Sequence, residues 1–136
     1  MLDQISLNDL IETDFTIIYN TETLAEVIDK AYNSKRNIFP LVDNELKFVG
    51  IIHLADIKDY VFKKKPFGNY LITKFVKPSP GIIAINDSVV VVMQKFELND
   101  AWHIPVLEEG KYIGFVSRSR LLNLYRKLIQ QERQIF

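Results

Sequence analysis

No cysteine occurs in the 136-residue chain, and only two histidines do. Disulfides and thiolate metal sites are therefore excluded, and a dedicated metal centre would need carboxylates that no spacing here supplies. No run of about 18 apolar residues exists, so no segment is read as a bilayer-spanning helix. Met1 to Leu10 holds Asp3 and Asp9 with no basic residue, unlike a secretory leader, and the chain is expected in the cytoplasm. Charge of one sign is also missing. Seventeen basic residues balance seventeen acidic ones, leaving no overall field to recruit nucleic acid or a membrane surface. The signatures of catalysis are absent as well: no nucleophile elbow, no phosphate loop and no Gly-x-Gly-x-x-Gly. Glu108 and Glu109 are adjacent in a predicted turn, so their side chains diverge, and no enzyme is expected.

What the chain does contain is a hydrophobic content of 48 %, enough for one ordinary folded module without staples. Leu2, Ile5, Leu7, Leu10 and Ile11 recur at helical spacing, and Phe15 to Tyr19 reads as a short strand. Thr23 and Glu26 form a capping box ahead of the stripe Leu24, Val27, Ile28 and Ala31. Ile38 to Val42 and Leu46 to Ile52 flank a turn and predict a hairpin, followed by a helix carrying Leu54, Ile57, Val61 and Phe62. Lys63 to Asn69 is a basic run closed by Pro66 and Gly68, the pattern of a solvated connection.

The chain then repeats itself. Leu10-Ile11, Ile17-Ile18, Thr23-Leu24 and Pro40 each find a counterpart 65 residues later, in Phe75-Val76, Ile82-Ile83, Ser88-Val89 and Pro105. Gly50 recurs 64 residues later as Gly114, so the second hairpin turn is shorter by one residue. This register decides an ambiguous segment. Val89 to Val92 favours a strand by propensity, yet its counterpart is the capped helix from Leu24. A helix is predicted, capped by Ser88 or Asp87, with Val89, Val92, Met93 and Phe96 facing inward. Ile104 to Leu107 and Tyr112 to Val116 predict the second hairpin. Ser117 then opens a final amphipathic helix with Arg118, Arg120, Arg126, Lys127 and Arg133 on its basic face.

Two copies of helix or strand, strand, helix, hairpin and helix, each with an apolar-Pro-apolar strand and a Gly-apolar-apolar-x step into a helix, resemble the tandem CBS motif called a Bateman module. The resemblance implies an α/β (α+β) fold over 1–136, with repeats at 6–62 and 70–128, a linker at 63–69 and a helix end at 129–136. Each repeat would be a three-stranded sheet with two helices, the pair packed about a pseudo-twofold axis, and such modules form homodimers through their helices. Segments 34–43 and 110–120 further resemble the cytoplasmic C-terminal CBS pair of bacterial CLC-family chloride channels and transporters. That would make a membrane transport domain of the same full-length chain the partner.

In many members of the family an adenine nucleotide such as AMP, ADP or ATP is the regulatory ligand, held by a Gly-apolar-x-Ser/Thr-x-x-Asp pattern. Its hydroxyl meets phosphate and its Asp accepts from ribose. This chain departs from the pattern in both copies. Gly50-Ile51-Ile52-His53-Leu54-Ala55-Asp56 keeps the Asp and replaces the hydroxyl, whereas Gly114-Phe115-Val116-Ser117-Arg118-Ser119-Arg120 keeps Ser117 and places Arg120 at the Asp position. By the resemblance, the better candidate site joins Asp56 and His53 to Gly81, Ile82, Ala101, Trp102 and His103. The second would join Ser117 and Arg120 to Thr16, Ile17, Asn37 and Ile38, and it should lose nucleoside recognition because an Arg cannot accept from ribose. Burial competes with stacking as the role of Trp102, and a helix cap competes with a phosphate contact as the role of Ser117. Two functions follow: a ligand sensor, or a ligand-free dimerisation module with vestigial clefts.

Overall fold

The computed structural model describes residues 5–62 and 69–135, in two compact units. The basic run at 63–68 lies outside the described residues. One unit comprises Asp14–Ser79 with Glu109–Tyr112, and the other Met1–Thr13, Pro80–Glu108 and Ile113–Phe136.

In the first unit, β1 (Ile18–Tyr19) runs parallel to β2 (Ile38–Val42), which pairs antiparallel with β3 (Phe48–His53). Between β1 and β2 lies α1 (Leu24–Tyr32), and after β3 comes α2 (Leu54–Ile57), continued by a 3-10 turn over Lys58–Phe62. The second unit repeats this with β4 (Ile83–Ala84), α3 (Val89–Leu98), β5 (His103–Glu108), β6 (Lys111–Ser117) and α4 (Arg118–Ile135), in the sheet order β4-β5-β6. The fold is therefore α+β, with a three-stranded sheet in each unit.

Capping explains where the helices begin. The Thr23 hydroxyl accepts from the Glu26 amide at 3.3 Å, although the Glu26 carboxylate is met by the Thr23 hydroxyl at 3.2 Å and not by the Thr23 amide that a full capping box would engage. Ser88 accepts from the Val91 amide at 3.2 Å, which starts a helix on a valine run. Val89, Val92 and Phe96 are buried on its inner face, so tertiary burial outweighs the strand preference of four valines. Of the expected N-terminal helix, Leu2 lies outside the described residues and the described part forms only a 3-10 turn over Leu7–Asp9, and the expected strand from Phe15 shrinks to the two residues that pair with Leu41 and Val42.

Each core borrows from outside its own repeat. Leu7 and Leu10 pack with Ile83, Val92, Ile104 and Val116, whereas Ile72 packs with Ile18, Val27, Phe39 and Ile52. A polar fastener is also duplicated. Lys30 Nζ meets Glu22 Oε1 at 2.5 Å and the Ile17 carbonyl at 3.3 Å, and Glu22 in turn accepts from the Tyr19 amide at 2.9 Å. Lys95, Asp87, Ile82 and Ala84 repeat the pattern at 2.7, 2.7 and 2.9 Å. Burial pushes the Asp87 carboxyl up, but hydrogen bonds from Lys95 and the Ala84 amide outweigh it and hold the group below the usual carboxylate range. A depressed folded value contributes stability above the unfolded pKa of about 3.9, and that contribution fades as pH falls through the folded value. Asp87→Asn should therefore cost about 1 kcal/mol at pH 7 and progressively less below about pH 4. Urea unfolding at both pH values checks this; an equal loss at each would refute it.

Candidate functional site

The better candidate set divides between the units, with His53 and Asp56 in one and Gly81, Ile82, Ala101, Trp102 and His103 in the other.

In the first unit, β3 delivers His53 to the N-cap of α2, half-buried and without a side-chain capping bond. Asp56 sits in the first turn of that helix. A Cβ on Gly50 would lie 2.7 Å from the Lys77 carbonyl oxygen, so glycine permits the leading segment of the second repeat to cross β3 closely. That crossing is an antiparallel bridge: the Ile51 amide donates to the Lys77 carbonyl at 2.8 Å and the Lys77 amide to the Ile51 carbonyl at 2.9 Å. The bridge brings the Lys77 ammonium to Asp56, 3.1 Å from Oδ1 and 3.0 Å from Oδ2. Lys77 was not among the expected site residues.

The same unit holds Thr16, Ile17, Asn37 and Ile38 of the second candidate set. The Ile17 carbonyl accepts from Lys30, the Asn37 carbonyl accepts from the Leu54 amide at 2.9 Å, and Ile38 is paired with His53 across β2 and β3.

In the second unit, Trp102 is 75 % exposed, so burial is not its role. Ile82 is exposed with its carbonyl held by Lys95, Gly81 is half-buried, and Ala101 is buried. His103 opens β5 with its ring edge-on to Phe115, centroids 6.2 Å apart. Arg118, expected on a solvated basic face, instead folds back. Its Nε donates to the Ala101 carbonyl at 2.9 Å, one terminal nitrogen reaches the Phe96 and Asn99 carbonyls at 2.7 and 2.9 Å, and the guanidinium lies 6.0 Å from the Trp102 ring centroid. The Arg118 amide also donates to the Trp102 carbonyl at 2.8 Å. Arg118 thus positions the loop that presents the tryptophan.

Ser117 is buried and accepts from the Arg120 amide at 3.2 Å, which makes it the cap of α4. Arg120 is exposed and donates to the Asp9 carbonyl at 3.1 Å. Among the described residues no group of three or more His, Asp or Glu is placed to hold a metal, and no helix is long and apolar enough to cross a membrane.

The family model for the CBS domain matches residues 7–63 and again 72–127. The chain belongs to the CBS domain family. Of the curated relatives, it is 31 % identical over 130 residues to the protein MJ1004 of Methanocaldococcus jannaschii, spanning 91 % of this chain and 58 % of that one. It is 22 % identical over 118 residues to a homoserine O-acetyltransferase of Methanococcus vannielii, spanning 86 % of this chain and 24 % of that one. The CBS pair thus covers only part of the length of either relative. Among solved structures, CbpB in complex with c-di-AMP superposes with a TM-score of 0.79 at 19 % identity, over 97 % of this chain and 91 % of that one. CBSX2 in complex with AMP superposes with a TM-score of 0.69 at 14 % identity, over 90 % and 97 %. At these identities the likeness shows the fold alone.

Proposed function

We propose that this CBS pair is a cytoplasmic regulatory module that binds an adenine nucleotide and passes its occupancy to a linked or associated protein. The observation that carries the reading is the exposed Trp102, held in place through Arg118, on a fold whose solved neighbours include complexes with AMP and c-di-AMP. Within one unit Trp102 offers a stacking face for a base; within the other, Asp56 offers acceptors for ribose hydroxyls. Lys77 beside Asp56 adds a cation for phosphate. The ligand acts by differential binding: whichever arrangement of the module holds it better gains population.

Titration with AMP, ADP, ATP and c-di-AMP tests the reading by melting temperature and by Trp102 fluorescence, since Trp102 is the sole tryptophan. A ligand at a hundred times its dissociation constant should stabilise the module by about 2.7 kcal/mol. Asp56→Ala should abolish most of that shift. No response to any of the four at millimolar concentration would sink the reading in favour of a ligand-free assembly module.

Homodimerisation belongs to the same proposal. Apolar side chains line helical grooves in both units, with the exposed Tyr32 beside Ile28 and Leu54 in one and the exposed Leu122 beside Met93 and the buried Leu121 in the other. A monomeric mass by light scattering at high micromolar concentration would count against it. Attachment to a CLC-type transport domain is the finer reading, supported only by the resemblance of segments 34–43 and 110–120. The reading frame upstream tests it, because a soluble or unrelated upstream domain would remove it.

A further inference from the structure

The two units carry the same groove with different linings. In the first, Ile28, Ala31, Tyr32, Leu54 and Ile57 line a hollow of about 200 Å³ between α1 and α2, and none of them is charged. In the second, the positions 65 residues on from α1 and 64 on from α2 hold Met93, Phe96, Glu97, Arg118 and Leu121, and the hollow between α3 and α4 is about 100 Å³. Phe96 takes up space that Ala31 leaves open. The first groove is thus the better receptor for apolar side chains.

The helices around the grooves differ in charge as well. On α1, α2 and the 3-10 turn after it, Lys30 is held by Glu22 and Asp56 by Lys77, which leaves Glu26, Asp29 and Asp59 against Lys58 on the exposed surface. The helices α3 and α4 carry Lys95, Arg118, Arg120, Arg126, Lys127 and Arg133 against Glu97 and Glu132. One helical layer is acidic and the other basic. Helix α4 also outruns its counterpart, continuing for 18 residues where α2 stops after 4. The core of its unit uses α4 only as far as Leu124, so Tyr125, Leu128 and Ile129 lie half-exposed beyond it. Leu122, Arg126, Ile129 and Arg133 follow one another at steps of four, three and four, which sets apolar and basic side chains alternately along one face of the helix.

We infer that a second copy of the chain docks unlike face to unlike face, with α4 of one copy seated in the α1/α2 groove of the other. Leu122 and Ile129 are then presented to the apolar lining, while Arg126 and Arg133 meet Asp29 and Asp59 at its rim. Charge decides the pairing. Joining like faces would set basic α4 against basic α4, or the acidic layer against itself, and such juxtapositions are penalised.

The inference rests on the homodimer reading and is separable from it. Because the chain has no cysteine, single ones can be introduced at exposed positions, Tyr32→Cys on the groove and Arg126→Cys on α4. Under mild oxidation an equal mixture of the two variants should form the mixed disulfide at least about tenfold faster than either variant forms its own, since only the mixed pair is brought together by docking. A single rim charge can be truncated at little cost, but Arg126→Glu with Arg133→Glu should raise the dimer's Kd by at least about tenfold, and adding Asp29→Lys with Asp59→Lys to the same chain should restore it. If each cysteine variant crosslinks to itself as readily as to the other, or if the double Glu variant dimerises as tightly as the unmodified chain or more so, the inference fails and the homodimer stands. If the unmodified chain is monomeric by light scattering at high micromolar concentration, both fail.

Discussion

Gly114→Ala should lower the melting temperature by about 10 °C, the largest loss expected from adding a single methyl group to this chain. The new Cβ would sit 2.6 Å from Ile11 Cγ2 and 2.7 Å from the Glu12 carbonyl oxygen. A side chain such as Ile11 can yield by changing rotamer. The carbonyl cannot, because it accepts from the Phe115 amide at 3.0 Å, and moving it stretches both hydrogen bonds of the bridge. Overpacking of this kind costs about 2–3 kcal/mol, which at roughly 4 °C per kcal/mol gives the stated shift. Gly50→Ala should behave alike, since its Cβ would meet Val76 Cγ2 at 2.5 Å and the Lys77 carbonyl at 2.7 Å. Gly110 supplies the control. It has open space around a Cβ but a φ of +81°, so alanine there carries only backbone strain of about 1 kcal/mol. Melting curves of the three variants decide the matter: Gly114→Ala no more damaging than Gly110→Ala would mean that the crossing segment is not held as described.

These glycines also mark what the sequence could and could not convey. Gly50 and Gly114 stood out as repeat anchors, and the internal register made Val89 to Val92 a helix against its propensity. Ser88, Ser117 and Thr23 were legible as caps because a hydroxyl ahead of an apolar stripe answers a local need of the backbone. The exchange of leading segments was not legible. Leu7 and Leu10 announce burial by their spacing, but a spacing does not say which core receives the side chain, and here it is the other repeat's, as it is in return for Ile72. For the same reason spacing alone does not mark Lys77 as the partner of Asp56 at the first strand-to-helix junction. Trp102 was ambiguous because an aromatic residue's area serves a core or a ligand equally well; only its 75 % exposure separates the two.

Arg118→Ala should cost about 3 kcal/mol, a fall in melting temperature of about 12 °C, although its counterpart in the first repeat is Leu54 and Ser119 and Arg120 beside it on α4 are exposed. The reason is the number of carbonyls that depend on one guanidinium. Phe96, Asn99 and Ala101 lie at and beyond the end of α3, where main-chain oxygens lack helical partners, and Arg118 supplies donors to all three at 2.7 to 2.9 Å. It also lies 5.7 Å from the Phe96 ring centroid and 6.0 Å from that of Trp102, so its loss removes packing as well as charge. Lysine has donors but not the planar fork, and Arg118→Lys should lose about half as much. Arg118→Leu would restore the first repeat's residue and its apolar bulk yet leave three carbonyls without their donor, so it should not rescue stability. Arg126→Ala, on the exposed face of α4, should be near neutral. Urea unfolding of the four variants gives this order, and a loss for Arg118→Ala no greater than for Arg126→Ala would refute the clamp. A second readout separates the clamp from simple packing. If Arg118 positions Trp102, Arg118→Lys at a temperature where it is fully folded should weaken nucleotide binding by about tenfold and reduce the ligand's quenching of the tryptophan, because a base stacks only on a ring that is held in place.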